Sequence, residues 1–206
     1  HHPRAARLRR LDPDLLRVAA MWRGNGVTPR ALAPGSYHEP DKKTPGGQTP
    51  APEPDGTVWI ANGIYPGWQA GERLSLSDPR EPAPSKDEVG RGPIPERMGR
   101  FNTIRIEPDR AVLEYSVAGV SVTESIVSAP RDGRSSIARR FQVGPSRTAL
   151  LLAIGAKNDG VAIAVDSSSP GARVTIDSSA SAADGVAFAT LPPHETPIEF
   201  SILVSG

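Results

Sequence analysis

Two histidines stand beside glutamates in this chain and are the first candidates for acid–base chemistry. His38 precedes Glu39, and His194 precedes Glu195. An imidazole can act as a general base or a metal ligand because it changes protonation state near neutral pH. Each histidine is isolated in a predicted loop, where such a pair is usually a solvated surface feature. A stand-alone hydrolase that uses His38 or His194 is therefore the least favoured of three functional hypotheses.

Other catalytic and metal-binding motifs are missing from the sequence. The chain has no cysteine, which excludes disulfides, thiolate zinc sites, iron–sulfur clusters and a covalently anchored c-type haem within these residues. No nucleophile elbow, phosphate-binding glycine loop or zincin motif occurs. We therefore predict no catalytic residue, no metal and no cofactor, and we regard an enzyme as less favoured than a binding module.

The balance of acidic and basic side chains also limits the classes of binding partner. The 206 residues carry 24 basic and 23 acidic side chains, a formal charge of +1, so the chain has no bulk field that attracts nucleic acid or anionic lipid. No apolar run approaches the ~18 residues that a membrane-spanning helix needs. We predict neither nucleic-acid binding nor membrane insertion. Because the chain begins with His1, we also expect it to be a fragment of a longer protein.

Aromatic residues concentrate in the first third of the chain. All three tryptophans and two of the three tyrosines precede residue 69. Flat aromatic faces on loops can stack on sugar rings while charged side chains bind the hydroxyl groups. A carbohydrate is therefore a candidate ligand. The candidate ligand-binding residues are Trp59, Tyr65, Trp68, Arg73, Asp78 and Arg80.

The same rings have an alternative role that we weight more heavily, which is to fill a minor core between a long loop and a sheet. A loop region of this length needs an apolar anchor to remain ordered. Trp22 follows an alternating pattern and is predicted to be in the core. Tyr65 and Trp68 flank Pro66-Gly67 and are the rings of the set predicted to be exposed.

The prolines are concentrated in one part of the chain. Residues 29–95 hold thirteen of the 22 prolines, and proline interrupts both helices and interior strands. We therefore predict a proline-rich loop region over residues 29–100, with one short strand at residues 57–61. Residues 40–54 should lack regular structure, and proteolysis should begin near Lys42 and Lys43.

Residues 101–206 show the period-2 pattern of β-strands. Ile104 and Ile106 share one face, and Glu124 interrupts an otherwise apolar face. Turn signals separate short apolar runs at intervals of roughly ten residues, without helical periodicity, which favours an antiparallel β-sandwich. The predicted runs are residues 102–107, 111–117, 120–128, 136–143, 149–154, 161–166, 173–177, 185–191 and 198–204. The predicted core is Ile104, Leu113, Tyr115, Val122, Phe141, Leu151, Val174, Phe188 and Phe200.

One part of this all-β interpretation stays open. Residues 12–22 fit a helix capped by Asp12, which propensity alone favours, and they also fit a β-hairpin that turns at Asp12-Pro13-Asp14. We therefore assign residues 1–28 to an N-terminal hairpin or a short helix, within one domain over residues 1–206.

A cluster of arginines surrounds one predicted strand and is expected to form a solvated face. Its members are Arg134, Arg139, Arg140 and Arg147.

Five short motifs, in order, resemble an uncharacterised bacterial domain. They are residues 11–24 (Leu11-Asp12-Pro13-Asp14 onward), Pro66-Gly67-Trp68, Asp78-Pro79-Arg80, Gly92-Pro93-Ile94-Pro95, and the hairpin at residues 112–120. That domain lies near the start of large exported multidomain proteins, which often also carry a sugar-dehydrogenase-like propeller and a c-type haem domain. The resemblance implies a periplasmic or extracellular location and favours the hairpin for residues 12–22. It carries over no catalytic residue.

Together these observations predict a non-catalytic β-sandwich module of an exported bacterial protein that binds carbohydrate or docks a neighbouring domain of the same polypeptide. The alternative is a part of a sugar-oxidising, c-type-haem-linked enzyme whose loops wall the active site.

Overall fold

The chain folds as two antiparallel sheets packed face to face. The computed structural model describes residues 6–27, 53–82, 91–129, 135–167, 169, 173–179 and 182–206. This part contains a single 3-10 turn, Ala182–Gly185, and no α-helix. Its strands are β1 (Ala6–Asp12), β2 (Arg17–Val27), β3 (Pro54–Ala61), β4 (Trp68–Ala70), β5 (Gly99–Ile106), β6 (Arg110–Val117), β7 (Val120–Ser128), β8 (Ser136–Val143), β9 (Leu150–Lys157), β10 (Ala162–Ser167), β11 (Thr175–Asp177), β12 (Val186–Leu191) and β13 (Ile198–Ser205).

The two sheets confirm the predicted all-β sandwich. The first sheet has the order β1-β2-β3-β9-β12-β11, with β4 also paired to β9. The second has the order β10-β13-β8-β7-β6-β5. Each predicted run from residue 102 onward contains one strand. Among the described residues, no helix is long and apolar enough to cross a bilayer.

The N-terminal stretch is a hairpin, which settles the alternative that the sequence left open. β1 pairs with β2 from Ala6 opposite Gly24 to Asp12 opposite Arg17. β2 also pairs with β3 on its other side, so its backbone groups are satisfied by neighbouring strands rather than by a helix. Tertiary pairing has overridden the helical preference of this segment.

The main core lies between the sheets and contains most of the predicted core residues. The residues that are buried as predicted are Leu113, Tyr115, Val122, Phe141, Leu151 and Phe200. The prediction was wrong for Ile104, which is 46% exposed because β5 is the terminal strand of the second sheet. Val174 and Phe188 are half-buried. The neighbours of Phe188, Ala187 and Ala189, point into the core, so Phe188 lies on the opposite face of β12.

Strand β9 changes partner part-way along, and a side chain fills the gap. β3 pairs with the end of β9 at Ala156, whereas β4 pairs with its beginning from Leu150 to Leu152. Between them the Asn62 amide Nδ2 donates to the carbonyls of Val18 at 2.7 Å and Ile154 at 2.8 Å. The loop at residues 62–67 is thereby fixed against the sheet.

The proline-rich region is only partly loop. It contains β3 and β4, and β3 extends the predicted strand at residues 57–61 back to Pro54. A proline is compatible with the first residue of a strand because it need not donate to the ladder there. The rest of the predicted unstructured segment, residues 40–52, lies outside the described residues, as do Lys42 and Lys43.

Candidate functional site

A pocket lined by opposite charges lies beside the turn between β1 and β2. It has a volume of about 570 Å³. Four separate segments build it: the hairpin turn, the loop after β3, residues 78–80 and the stretch that begins at residue 91. We call it the charged pocket, and its lining residues are Arg10, Asp12, Asp14, Ile64, Asp78, Arg80 and Arg91.

Asp78 and Arg80 form a bidentate pair at one wall of the charged pocket. Arg80 Nε lies 2.9 Å from Asp78 Oδ1 and Nη2 lies 3.0 Å from Oδ2. The third nitrogen, Nη1, donates to the Gly92 carbonyl at 2.8 Å. The hydrogen bonds from Arg80 lower the pKa of Asp78 below its ordinary value, and Asp78 raises the pKa of Arg80 in turn. The pair therefore joins residues 78–80 to the segment at residue 92.

Asp12 is held in a second ion pair behind the pocket. Arg17 donates to Asp12 Oδ2 from Nε at 3.0 Å and from Nη2 at 2.9 Å. The remaining nitrogen of Arg17 donates to the carbonyls of Asn62 and Gly63. Arg17 thus connects the β1–β2 turn to the loop after β3.

Backbone hydrogen bonds lock the same segments together. The Ile94 amide donates to the Asp14 carbonyl at 2.9 Å, and the Gly67 amide donates to the Leu15 carbonyl at 2.8 Å. A Cβ on Gly67 would lie 2.3 Å from the Leu16 carbonyl oxygen, so only glycine permits this approach. The pocket walls are positioned by the backbone and by paired charges.

The six candidate ligand-binding residues occupy three kinds of place. Asp78 and Arg80 line the charged pocket. Arg73 is exposed but does not line it. The aromatic candidates are buried, with exposures of 3% for Trp59, 5% for Tyr65 and 0% for Trp68. The prediction that Tyr65 and Trp68 are exposed was wrong, whereas the predicted burial of Trp22 is confirmed at 2%.

Burial of these rings agrees with the packing role. Tyr65 packs with Ala153, Val186, Leu74 and Leu76 in a small cluster separate from the main core, and its hydroxyl donates to Asn62 at 2.7 Å. Desolvation raises the Tyr65 pKa. The cluster anchors the loop that follows β4 on the first sheet. No ring of the candidate set is available for stacking on a sugar.

Trp68 takes part in a polar network inside the main core. Its indole Nε1 donates to the Tyr115 hydroxyl at 2.9 Å, and that hydroxyl donates to Glu124 Oε2 at 2.8 Å. Arg139 Nε donates to Glu124 Oε1 at 2.6 Å. The Arg139 guanidinium also lies 5.1 Å from the ring centroid of Phe141.

This network is the main feature that sequence reasoning missed. Arg139 was expected on a solvated arginine face but is 1% exposed. Burial works against its charge, yet Glu124 outweighs burial and holds the Arg139 pKa above its ordinary value. Desolvation, followed by the Glu124 charge, raises the Tyr115 pKa well above 10.0. The available signal was a charged residue at an inward position on each of two predicted strands, β7 and β8.

Of the two candidate histidines, only His194 lies in the described part of the chain. His38 lies outside the described residues. In His194, Nδ1 is 2.9 Å from the Pro192 carbonyl and Nε2 is 2.9 Å from the Gly144 carbonyl. Both ring nitrogens therefore face backbone oxygens, and the ring joins two loops instead of presenting a free nitrogen to a substrate. His194 also lines a second cavity, of about 730 Å³, together with Glu195 and Arg147.

The described residues contain no group of three or more histidine or carboxylate side chains arranged to hold a metal ion. The charged pocket holds three carboxylates but also three guanidinium groups. This lining places hydrogen-bond acceptors and donors side by side.

Comparison with known proteins places this pocket within one family region. The model of a family described as "Domain of unknown function (DUF6797)" matches residues 10–124, which is more than half of the chain. The match includes every lining residue of the charged pocket. No curated protein and no solved structure matches the chain.

Proposed function

We propose a ligand-binding function for this chain, which belongs to the DUF6797 family of domains of unknown function: it is a non-catalytic β-sandwich module that binds carbohydrate in the charged pocket. The observation that carries the proposal is the mixed lining of that pocket. Carboxylates accept hydrogen bonds and guanidinium groups donate them, and a sugar hydroxyl can do both. Exposed Ile64, at 62%, adds an apolar contact for the C–H face of a sugar ring.

The balance of charge supports a polar ligand of low net charge. Three aspartates and three arginines line the pocket, so their formal charges cancel. A fixed scaffold also supports binding because the ligand need not order the loops when it arrives. The non-catalytic character is supported by the pairing of Asp12 with Arg17 and of Asp78 with Arg80, which commits these groups to structure.

Isothermal titration calorimetry with neutral and acidic oligosaccharides tests the proposal. A pocket with few contacts should give dissociation constants of roughly millimolar to micromolar size. Ile64→Asp should weaken binding at least about tenfold because it places a charge at the apolar contact. The matched control is Ile106→Asp on β5, which is also exposed, at 77%, and should leave binding unchanged. Absence of heat with every oligosaccharide, or equal losses in the two variants, would refute the proposal.

Docking of a neighbouring domain is a second proposed function, favoured by the edge strand β5. Among the described residues, three large apolar side chains are strongly exposed, and two of them, Ile104 and Ile106, lie on β5. A terminal strand with exposed isoleucines is a surface that proteins normally cover. In a longer polypeptide, the amides of β5 should exchange hydrogen more slowly than in this chain. Equal exchange rates would argue against docking there.

The wider setting is a proposal from the resemblance. We place the module in an exported protein, in the periplasm or outside the cell, near a sugar-dehydrogenase-like propeller and a c-type haem domain. In the alternative function, its loops wall the active site of that sugar-oxidising enzyme. A Cys-x-x-Cys-His motif later in the same reading frame would favour this alternative, since that motif anchors a c-type haem.

A further inference from the structure

Within the proposed function, on which this inference rests, we infer that Asp14 and Arg91 contact the ligand, that Asp78 and Arg80 only position them, and that the ligand is a neutral sugar rather than a uronate. The inference follows from which hydrogen-bonding groups of the charged pocket are already used.

Asp78 and Arg80 have little capacity left for a ligand. All three nitrogens of the Arg80 guanidinium donate within the protein, two to Asp78 and one to the Gly92 carbonyl. Asp78 Oδ1 accepts a further bond from the Arg80 amide at 3.0 Å. The two side chains are only 11% and 13% exposed. They are positioning residues that hold the turn at residues 78–80 against the segment that carries Arg91.

Asp12 is also committed. Its Oδ2 accepts two bonds from Arg17, and its Oδ1 accepts a longer bond of 3.4 Å from the Leu15 amide. These contacts shape the hairpin turn on which Asp14 lies.

The Asp14 carboxylate is hydrogen-bonded less than those of Asp12 and Asp78. Its backbone carbonyl is tied to Ile94 at 2.9 Å, which fixes its position. Within the described part of the chain, however, its carboxylate accepts no hydrogen bond, although it lines the pocket. It is half-buried, so it is held at the wall while its oxygens remain available to a ligand.

Arg91 supplies the complementary donor. Its side chain is 41% exposed, and Nη1 lies 3.6 Å from Asp78 Oδ2, beyond an ordinary hydrogen bond. Nη1 also makes a weak contact of 3.5 Å to the Arg80 carbonyl oxygen. Asp14 and Arg91 are thus an acceptor and a donor that the pocket offers to a ligand.

An acceptor at Asp14 and a donor at Arg91 favour neutral sugars over uronates. A hydroxyl group can donate to Asp14 and accept from Arg91, so neighbouring hydroxyls on a neutral ring satisfy both side chains. A uronate carboxylate can only accept hydrogen bonds, so it cannot donate to Asp14, and its charge is repelled by the Asp14 carboxylate. Neutral oligosaccharides should therefore bind more tightly than uronates of the same length.

The test compares a neutral trisaccharide series, built from glucose, galactose, mannose or xylose, with trigalacturonate by calorimetry. Asp14→Asn should weaken the best neutral ligand about tenfold or more without lowering the melting temperature, since an amide offers one acceptor in place of a carboxylate. Glu72→Gln is the control because Glu72 is exposed and does not line the pocket. Asp78→Asn should weaken binding and lower the melting temperature together, and Asp78→Glu should restore part of both.

The outcomes separate this inference from the proposed function. If sugars bind but trigalacturonate binds as well as or better than neutral trisaccharides, or Asp14→Asn has no effect, the inference is overturned and carbohydrate binding stands. If no sugar binds, both are overturned. Tighter neutral binding with selective loss in Asp14→Asn supports both.

Discussion

Arg139 and Glu124 form an ion pair in the middle of the sandwich, with Arg139 Nε 2.6 Å from Glu124 Oε1 and neither residue more than 2% exposed. The carboxylate also accepts from Tyr115, whereas Arg139 Nη1 has no hydrogen-bond partner among the described residues. A buried pair of this kind adds little net stability, but the loss of one partner leaves an uncompensated charge in the core. The pair therefore constrains how β7 and β8 align.

Glu124→Gln should lower the free energy of unfolding by about 3–5 kcal/mol, because it leaves the Arg139 charge buried and unpaired. Glu114→Gln is the matched control on β6, since Glu114 pairs with Arg105 at the surface, with exposures of 37% and 55%. It should change stability by at most about 1 kcal/mol. Urea unfolding followed by circular dichroism measures both. Equal effects of the two substitutions would show that the buried pair is not the sensitive one.

Stability should fall at high pH as tyrosine ionises in the unfolded chain. Burial raises the pKa of Tyr115 well above 10.0 and also raises that of Tyr65. The unfolded state therefore loses protons first, so the stabilisation is complete below pH 10.0 and is lost as the pH rises above that value. Tyrosinate absorbance and unfolding should rise together in an alkaline titration. Tyr115→Phe should reduce this dependence, and ionisation of Tyr115 in the folded protein would contradict the prediction.

Stability should also decline in acid as Asp78 is protonated. Its hydrogen bonds from Arg80 lower its pKa below 3.8, so its contribution is present above that value and is lost as the pH falls through the folded-state pKa. Asp78→Asn should flatten the acid limb of stability below about pH 4, where the Asp78 carboxylate of the unfolded chain becomes protonated. Glu72→Gln serves as the control at an exposed site. An unchanged acid limb in Asp78→Asn would mean that other carboxylates dominate it.

The tryptophans should report stability and not ligand contact. Trp22, Trp59 and Trp68 are at most 3% exposed, so acrylamide should quench their emission little and sugars should leave it unchanged. Trp68→Ala should lower the free energy of unfolding by about 3–5 kcal/mol, since it removes a fully buried ring that contacts Phe141 at 5.7 Å between ring centroids. Strong quenching, or an unaltered melting temperature in Trp68→Ala, would contradict the burial.

Local pattern alone determined most of the strands. The hairpin of β5 and β6 follows from alternation on either side of the turn at residues 107–109, because side chains on a strand point to opposite faces in turn. The run that became β9 was recognisable for a different reason, because it is a continuous apolar run bounded by turn residues, which is typical of a strand buried on both faces. Residues 12–22 were ambiguous because their apolar spacing fits both periods. Pairing with β1 and β3, which lies outside the segment, decided between them.

The exposure of individual side chains depended on which surface covers them. Ile104 fits the alternating pattern of its strand, but that strand is terminal in its sheet and Ile104 is exposed. Trp68 lies in a loop-rich region and is nevertheless fully buried. Alternation specifies a face of a strand and carries no information about what packs on that face.

Only the tertiary structure brought the site together. Asp14, Ile64 and Arg91 are far apart in sequence and meet in one pocket because Arg17, Asn62 and Arg80 tie their loops to distant backbone carbonyls. The sequence alone marked Asp78 and Arg80 as polar candidates near the aromatic residues. Their pairing with each other is local, since they are two residues apart, but the bond from Arg80 to the Gly92 carbonyl is a longer-range contact that local spacing does not encode.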